Sequence, residues 1–244
     1  MIQRLLNAGA TLSPHDLDGW TPLHFAASRG NLDAVKTLLK GGVDPSLGER
    51  NGWTAMHRAA CYGHVDVIKA LIEAGVDVSS RSVNRSCPLH WAAGTGRTDV
   101  VKVLIESGAD IGAKENYGWM PLHRAATFGH LDTVELLLAA NADILAPSDT
   151  GATPLHWAAE SGHVPVVIAL INAGADVSVC ESTGWTPMHR AATFGHAKVI
   201  RTLARSGADV SAEDHDGRTP LRWAKSLGHM EAMETLLELG ANSD

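Results

Sequence analysis

What this chain lacks narrows its chemistry before any motif is read. Cysteine is scarce: Cys61, Cys87 and Cys180 are an odd set with no metal-ligand or redox spacing. A disulfide framework is therefore not expected, and reduced thiols in an intracellular, cytoplasmic protein are the plain reading. Basic excess is missing: 20 Lys and Arg stand against 27 Asp and Glu, a formal net charge of -7. A sequence-independent grip on nucleic acid needs a basic surface, so no nucleic-acid partner is expected. No apolar run approaches the ~18 residues of a membrane helix. The opening MIQRLLNAGATLSP lacks a signal-peptide layout, so no membrane partner is expected either. Low-complexity stretches and linkers are absent too. The 244-residue length suits one or two globular domains or a single elongated array.

What is present is repetition. Thr21-Pro-Leu-His24 returns as Thr54-Ala-Met-His57, Cys87-Pro-Leu-His90, Met120-Pro-Leu-His123, Thr153-Pro-Leu-His156, Thr186-Pro-Met-His189 and Thr219-Pro-Leu-Arg222. Each step is 33 residues, without insertion or deletion. A glycine keeps the same register at Gly9, Gly42, Gly75, Gly108, Gly174, Gly207 and Gly240, and Asn141 fills the one gap. Asn is the next-best residue for a left-handed helix end.

Each unit follows from local physics. Thr caps a helix and Pro suits its first position, so the tetrapeptide opens a helix of about two turns. It stops at the Gly of Phe-Gly-His or Ser-Gly-His. A second helix follows, with apolar residues such as Val134, Leu136, Leu137 and Leu138. Then comes an Asp (Asp44, Asp77, Asp110, Asp143, Asp176, Asp209) and a polar stretch that turns at pairs such as Asn51-Gly52 and Asp216-Gly217. So small a unit cannot bury its own apolar face and must stack on its neighbours.

The 33-residue period, the TPLH tetrapeptide, the Gly-His between helices and the Leu-Leu-x-x-Gly-Ala-Asp ending resemble the ankyrin repeat family. The resemblance covers essentially the whole chain. It implies an all-α solenoid of stacked helix pairs with projecting β-hairpin loops, and a protein or peptide bound on the concave face of hairpins and first helices. The expected organisation is one ankyrin-repeat domain over 1–244: a partial repeat at 1–16, six full repeats at 17–214 and a capping repeat at 215–244. In the last unit Arg222 and Lys225 replace His and Ala, and Glu231, Glu234 and Glu238 make its second helix polar, as a cap requires. The resemblance also implies that the TPLH histidines (His24, His57, His90, His123, His156, His189) are structural, hydrogen-bonding around the turn. The position that hydroxylases modify in this family is Ser46, Ser79, Gly112, Leu145, Ser178 or Ser211 here; none is Asn, so that modification is not expected.

Thirteen histidines invite a metal or catalytic reading. Stacked copies should stand about 8–10 Å apart. That is too far for neighbours in one column to share a zinc, whose nitrogen ligands lie at about 2 Å. No nucleophile elbow, phosphate-binding glycine loop or carboxylate pair stands out from the repeat. Neither metal nor cofactor is expected, and the chain is read as a non-enzyme.

A second period lies over the first. The seven tryptophans fall one per unit, in two positions. Trp20, Trp53, Trp119 and Trp185 precede the tetrapeptide, on the hairpin; Trp91, Trp157 and Trp223 follow it, on the first helix. The second, fourth and sixth units pair the hairpin Trp with Arg58, Arg124 or Arg190 and with Tyr62, Phe128 or Phe194. The third and fifth put Ser86 and Ala152 on the hairpin, and Thr95 and Ser161 before the Gly-His. The structural period is 33 residues and the surface period 66. Under the family resemblance, Trp20 and these Trp, Arg, Tyr and Phe residues of the even units form the expected partner-binding row, because such residues anchor protein interfaces. Duplication of a two-repeat block, with Arg stacked on the hairpin ring, would leave the same pattern without function. A sensor of nucleotide-like ligands using Trp and Arg, and a structural spacer within a longer chain, are the alternatives; the array is expected to be a monomer. Around the middle, Asn84-Arg85-Ser86 lacks the turn glycine, and Cys87 and Met120 replace the capping Thr, so a slightly looser centre is expected.

Overall fold

The structure, a computed structural model, describes residues 15–242. The partial repeat expected at 1–16, with Gly9, lies outside the described residues except for its last two positions. The described residues form fourteen α-helices and no strand. They run in pairs: α1 (Pro22–Ser28) with α2 (Leu32–Lys40), α3 (Ala55–Tyr62) with α4 (Val65–Glu73), α5 (Pro88–Gly94) with α6 (Thr98–Glu106), α7 (Pro121–Thr127) with α8 (Leu131–Ala139), α9 (Pro154–Ser161) with α10 (Val164–Asn172), α11 (Pro187–Thr193) with α12 (Ala197–Arg205), and α13 (Pro220–Leu227) with α14 (Met230–Glu238). The chain divides into two compact units, Met1–Asn116 and Tyr117–Asp244. Within each, first helices pack on first helices and second helices on second helices of the next pair.

The first helices open as their sequence dictates, with one difference in the cap. The residue before each helix is extended, as at Thr21 (φ -98°, ψ 164°), and Pro stands at the helix start in six of the seven. The expected Thr cap accepts a backbone N–H at Thr186 and Thr219. At Thr21, Thr54, Thr153 and Thr186 the hydroxyl lies 2.9–3.0 Å from the Nδ1 of the histidine three residues on. The same Nδ1 accepts the backbone N–H of the capping residue. Histidine thus does what the Glu of a capping box does elsewhere. Met120 has no hydroxyl to offer, and there Nδ1 of His123 takes the backbone N–H of Met120 at 3.2 Å.

An Ala-Ala pair in the first helices (Ala26-Ala27, Ala59-Ala60, Ala92-Ala93, Ala125-Ala126, Ala158-Ala159, Ala191-Ala192) is buried and lets neighbouring helices approach closely. The second helices contribute the larger apolar groups, among them Val35, Leu38, Ile68, Leu71, Leu104, Leu137, Leu170 and Leu203. Burying such a side chain is worth about 1.5–3 kcal/mol, so these columns hold the array together.

The connecting loops are hairpin-like turns rather than strands. Glu49 N–H donates to the Trp53 carbonyl at 2.9 Å and Gly52 N–H to the Glu49 carbonyl at 2.7 Å. Each loop also donates to the one before it, as Arg50 N–H does to Asp18 and Ser182 N–H to Thr150. So few ladder bonds do not make a sheet. The repeated Asp closes a local turn: Asp44, Asp77, Asp110, Asp143, Asp176 and Asp209 each accept the backbone N–H two residues on. Asn141 takes the left-handed conformation at the end of α8 (φ +65°). Arg85 does the same (φ +61°) at the turn where the other hairpins have Gly, and Tyr117 adds a third such residue (φ +67°).

Candidate protein-binding face

Two sets of histidines staple adjacent repeats. The tetrapeptide histidine donates forward: Nε2 of His24 to the Trp53 carbonyl (2.9 Å) and Nε2 of His57 to the Ser86 carbonyl (3.1 Å) in the first unit. In the second unit His123, His156 and His189 reach the carbonyls of Ala152, Trp185 and Arg218 at 3.1–3.3 Å. A carbonyl only accepts and a backbone N–H only donates, so each ring is the neutral Nε2–H tautomer. Burial pushes the basicity of His24 and His189 down, and that of His57 and His156 down to about 4. Both ring nitrogens of these histidines are engaged in the joint.

The Gly-His histidine donates backward. His64 reaches the Ser28 carbonyl at 3.0 Å, and His163, His196 and His229 reach those of Thr127, Glu160 and Thr193 at 2.8–3.1 Å. The glycine of the preceding repeat makes room: a Cβ on Gly30 would stand 2.5 Å from Nδ1 of His64, and one on Gly129 2.5 Å from Nδ1 of His163. In the third repeat Arg97 takes the histidine's place, lies over Gly63 and donates to the Cys61 carbonyl.

The 66-residue pattern of tryptophans turns out to be a pattern of ring pairs. A hairpin Trp meets the helix Trp of the next repeat: Trp53 with Trp91 at 4.2 Å between centroids, Trp119 with Trp157 at 4.6 Å, and Trp185 with Trp223 at 4.8 Å. Trp20 instead packs on Phe25 of its own repeat, at 4.8 Å. Between rings sit the arginines. The Arg58 guanidinium lies 4.2 Å from Trp20 and 4.4 Å from Trp53. It grips buried Glu49 through two bonds of 2.7 Å. Arg190 lies 4.9 Å from Trp157 and 5.4 Å from Trp185, paired with Glu181 at 2.6 Å and with Glu160. Arg124 is half-buried at the equivalent position. The arginines expected as surface anchors are therefore half-buried, and Arg58 and Arg190 are charge-neutralised, because a carboxylate from the hairpin below reaches them. Sequence reasoning missed those carboxylates, although Glu49, Glu115 and Glu181 recur at 66-residue steps and all three are buried.

What stays open is the ring before the Gly-His. Tyr62 is 48% exposed, Phe128 52% and Phe194 48%. Each stands at the C-terminal end of a first helix, on one register position. Leu227, missed by the aromatic pattern, occupies the same position in the seventh repeat and is also exposed. In the second unit the position thus reads Phe128, Ser161, Phe194, Leu227.

A family profile described as ankyrin repeats (3 copies) matches residues 1–82, 79–148, 140–214 and 178–244, the whole chain between them. The chain belongs to the ankyrin repeat family. It is similar to the crystal structure of the human ASB11 ankyrin repeat domain, with a TM-score of 0.81 and 32% identity, covering 92% of this chain and 100% of that one. No curated protein sequence matches it. Ankyrin repeats are in general protein–protein interaction modules, and the fold is typically non-catalytic. Among the described residues no helix of this ankyrin array is long and apolar enough to cross a membrane.

Proposed function

We propose that this ankyrin array is a non-catalytic scaffold that binds a protein or peptide on the face formed by its hairpins and the ends of its first helices. The observation that supports the reading is the row of exposed apolar side chains at one repeat position: Tyr62 in the first unit, and Phe128, Phe194 and Leu227 in the second. Exposed aromatics in a single column are costly to leave in water and are the residue types that dominate interface energetics. Trp20, Trp53, Trp119 and Trp185, with Arg58, Arg124 and Arg190, belong to the same proposed face, at the other end of the first helices, and offer the partner only half-exposed edges. At about 8–10 Å per repeat, Phe128 and Phe194 stand about 20 Å apart. An extended partner segment of about six residues spans that distance.

A nucleotide-like ligand is disfavoured by the same geometry, since Arg58 and Arg190, the cations that would take its phosphates, are already bound to carboxylates. The test is a double substitution, Phe128→Ala with Phe194→Ala, compared with wild type for capture of partners from cell extract and then for affinity towards the captured protein. Helix content and melting temperature should be unchanged, because both rings are half exposed. Affinity should fall at least about tenfold. Unchanged affinity in the folded variant would remove these rings from the binding face.

A further inference from the structure

In the first unit one turn departs from the pattern of the others. The loops before the other first helices turn on Gly19, Gly52, Gly118, Gly151, Gly184 and Gly217, all with positive φ. The loop at 82–86 turns on Arg85 instead, with φ +61°. A side chain is costly there, because the left-handed backbone brings Cβ against the carbonyl that follows. Space is short as well: a Cβ on Gly52, at the matching turn, would stand 3.0 Å from the Val83 nitrogen of the next loop. The Arg85 turn is nonetheless held from both sides. Arg85 N–H donates to the Ser82 carbonyl at 2.8 Å, Val83 N–H to the Asn51 carbonyl at 2.9 Å, and Asn116 N–H to the Asn84 carbonyl at 3.0 Å. An unfavourable backbone kept in a fixed setting points to a use for the side chain it carries.

What the turn displays is positive charge. Arg85 is exposed, and its guanidinium has no hydrogen-bond or ion-pair partner among the described residues. Lys114, exposed on the next loop, has none for its ammonium either. Arg81 ties the two loops together, its Nη1 donating to the carbonyls of Arg85 (3.0 Å) and Lys114 (2.8 Å). The acids nearby do not answer these charges. Glu49 is buried and gripped by Arg58, and Glu115 is buried. Asp77 and Asp110 close turns at the starts of their loops. Asp16 and Asp18 belong to the first loop, about 20 Å from Arg85 at 8–10 Å per repeat, and Asp18 there faces Arg50 at 4.0 Å. Residues 79–86 and 112–116 thus bring Arg81, Arg85 and Lys114 to one seam with no exposed carboxylate among them. We propose that this seam receives a carboxylate from an acidic segment of the protein partner, with Arg85 as the residue that meets it. A guanidinium suits the role because its planar fork matches the two oxygens of a carboxylate. Residues 1–116 hold twelve Lys and Arg against twelve Asp and Glu, and residues 117–244 eight against fifteen. That surplus of acid favours a short acidic segment over a long polyanion such as nucleic acid. The inference rests on the reading of this array as a scaffold for a protein or peptide and names one chemical feature of that partner.

The experiment uses the full chain and a capped peptide of consecutive glutamates flanked by glycines, followed by the backbone amide resonances of residues 82–86 and 114–116 in NMR. Matching peptides carry glutamine or lysine in place of glutamate. The glutamate peptide should move these resonances saturably at millimolar concentration, and added salt should weaken it. Glutamine and lysine should move none of them. Arg85→Gly should raise the melting temperature by about 2–4 °C and yet weaken the glutamate peptide at least about threefold. Arg85→Lys should keep most of the binding, and Lys114→Gln should weaken it. Arg205→Gln, which removes an exposed cation from the second unit, should leave the titration unchanged, as should Phe128→Ala with Phe194→Ala. No saturable shift from glutamate, equal shifts from glutamine, or full affinity in a stabilised Arg85→Gly would each overturn the site. A loss in Arg205→Gln as large as that in Arg85→Gly would overturn it too, by tracing the binding to overall charge. If the site fell while the phenylalanine variant still lost its partner, the acidic segment would be struck and the scaffold reading would stand.

Discussion

Arg58 and Arg190 hold the same position in their repeats, one in each compact unit, and are built differently. Arg58 is clamped by two hairpin indoles and one carboxylate in a two-bond grip. Arg190 has one hairpin ring, one helix ring, both farther away, and divides its guanidinium between two carboxylates. The difference comes from the repeat before. The first repeat puts Trp20 on the hairpin and Phe25 on the helix, whereas the fifth puts Ala152 on the hairpin and Trp157 on the helix. An arginine in an even repeat needs an indole from the odd repeat beneath it, and either position can supply one. At these two sites the 66-residue period coincides with packing between neighbours, and the rings of Tyr62, Phe128 and Phe194 stay half exposed. The units differ at their hairpins too: exposed Arg50, Arg81, Arg85 and Lys114 beside exposed Asp16 and Asp18 in the first, exposed Asp149, Glu213 and Asp216 in the second.

Acid should have the largest effect and should treat the units alike. His57 in one and His156 in the other titrate near 4 when folded and near 6.5 when unfolded. Between those values the unfolded chain binds protons that the folded chain does not, so stability falls as pH drops from 6.5 towards 4. The loss is roughly 3 kcal/mol for each ring that stays neutral. Asp214 adds a loss to the second unit only, setting in below about 3.8 and complete near 2. Urea unfolding followed by tryptophan fluorescence across this range checks both. A transition between pH 6.5 and 4 confined to one unit would show that the histidine joints are not equivalent.

Next in size is removal of the arginines. Arg58→Leu strands Glu49, at a cost of about 3–5 kcal/mol. Arg190→Leu strands Glu181 beside Glu160 and should cost more, measured in the same denaturation experiment. The reverse order would break the account of how the two sites differ. Smaller is Arg85→Gly, which relieves a left-handed residue and should stabilise by about 1 kcal/mol, while Gly52→Ala at the matching turn should destabilise. Smallest are the caps. Met120→Thr gains a hydroxyl for Nδ1 of His123, worth at most about 1 kcal/mol. Cys87→Thr should gain less, because Sγ of Cys87 already lies 3.0 Å from Nδ1 of His90.

Much of the fold could be read from residues alone, because its signals are local. Thr-Pro starts, glycine stops, Asn141 at a left-handed position and the Asp turns each depend on a few neighbouring residues. The candidate site was read in half. The aromatic row was visible, but which rings stay in solvent is settled between repeats: Trp53 is covered by Trp91 and Arg58, whereas Tyr62 is not. The role of Glu49 lies nine residues before its arginine, across a turn, where no local pattern connects them. Leu227 is aliphatic and so stands outside the aromatic pattern, although it keeps the register of Phe194.

The forward histidine staple ends on a main-chain oxygen, and the residues that supply it are Trp53, Ser86, Ala152, Trp185 and Arg218. Large, small, aromatic, polar and charged residues all serve, since the bond never consults the side chain. The histidine joint is thus indifferent to the hairpin side chain, which is held by contacts of its own, as Trp53 is by Trp91 and Arg58. A substitution at that position changes what its side chain packs on or presents to solvent while the main-chain joint between repeats stays as it is.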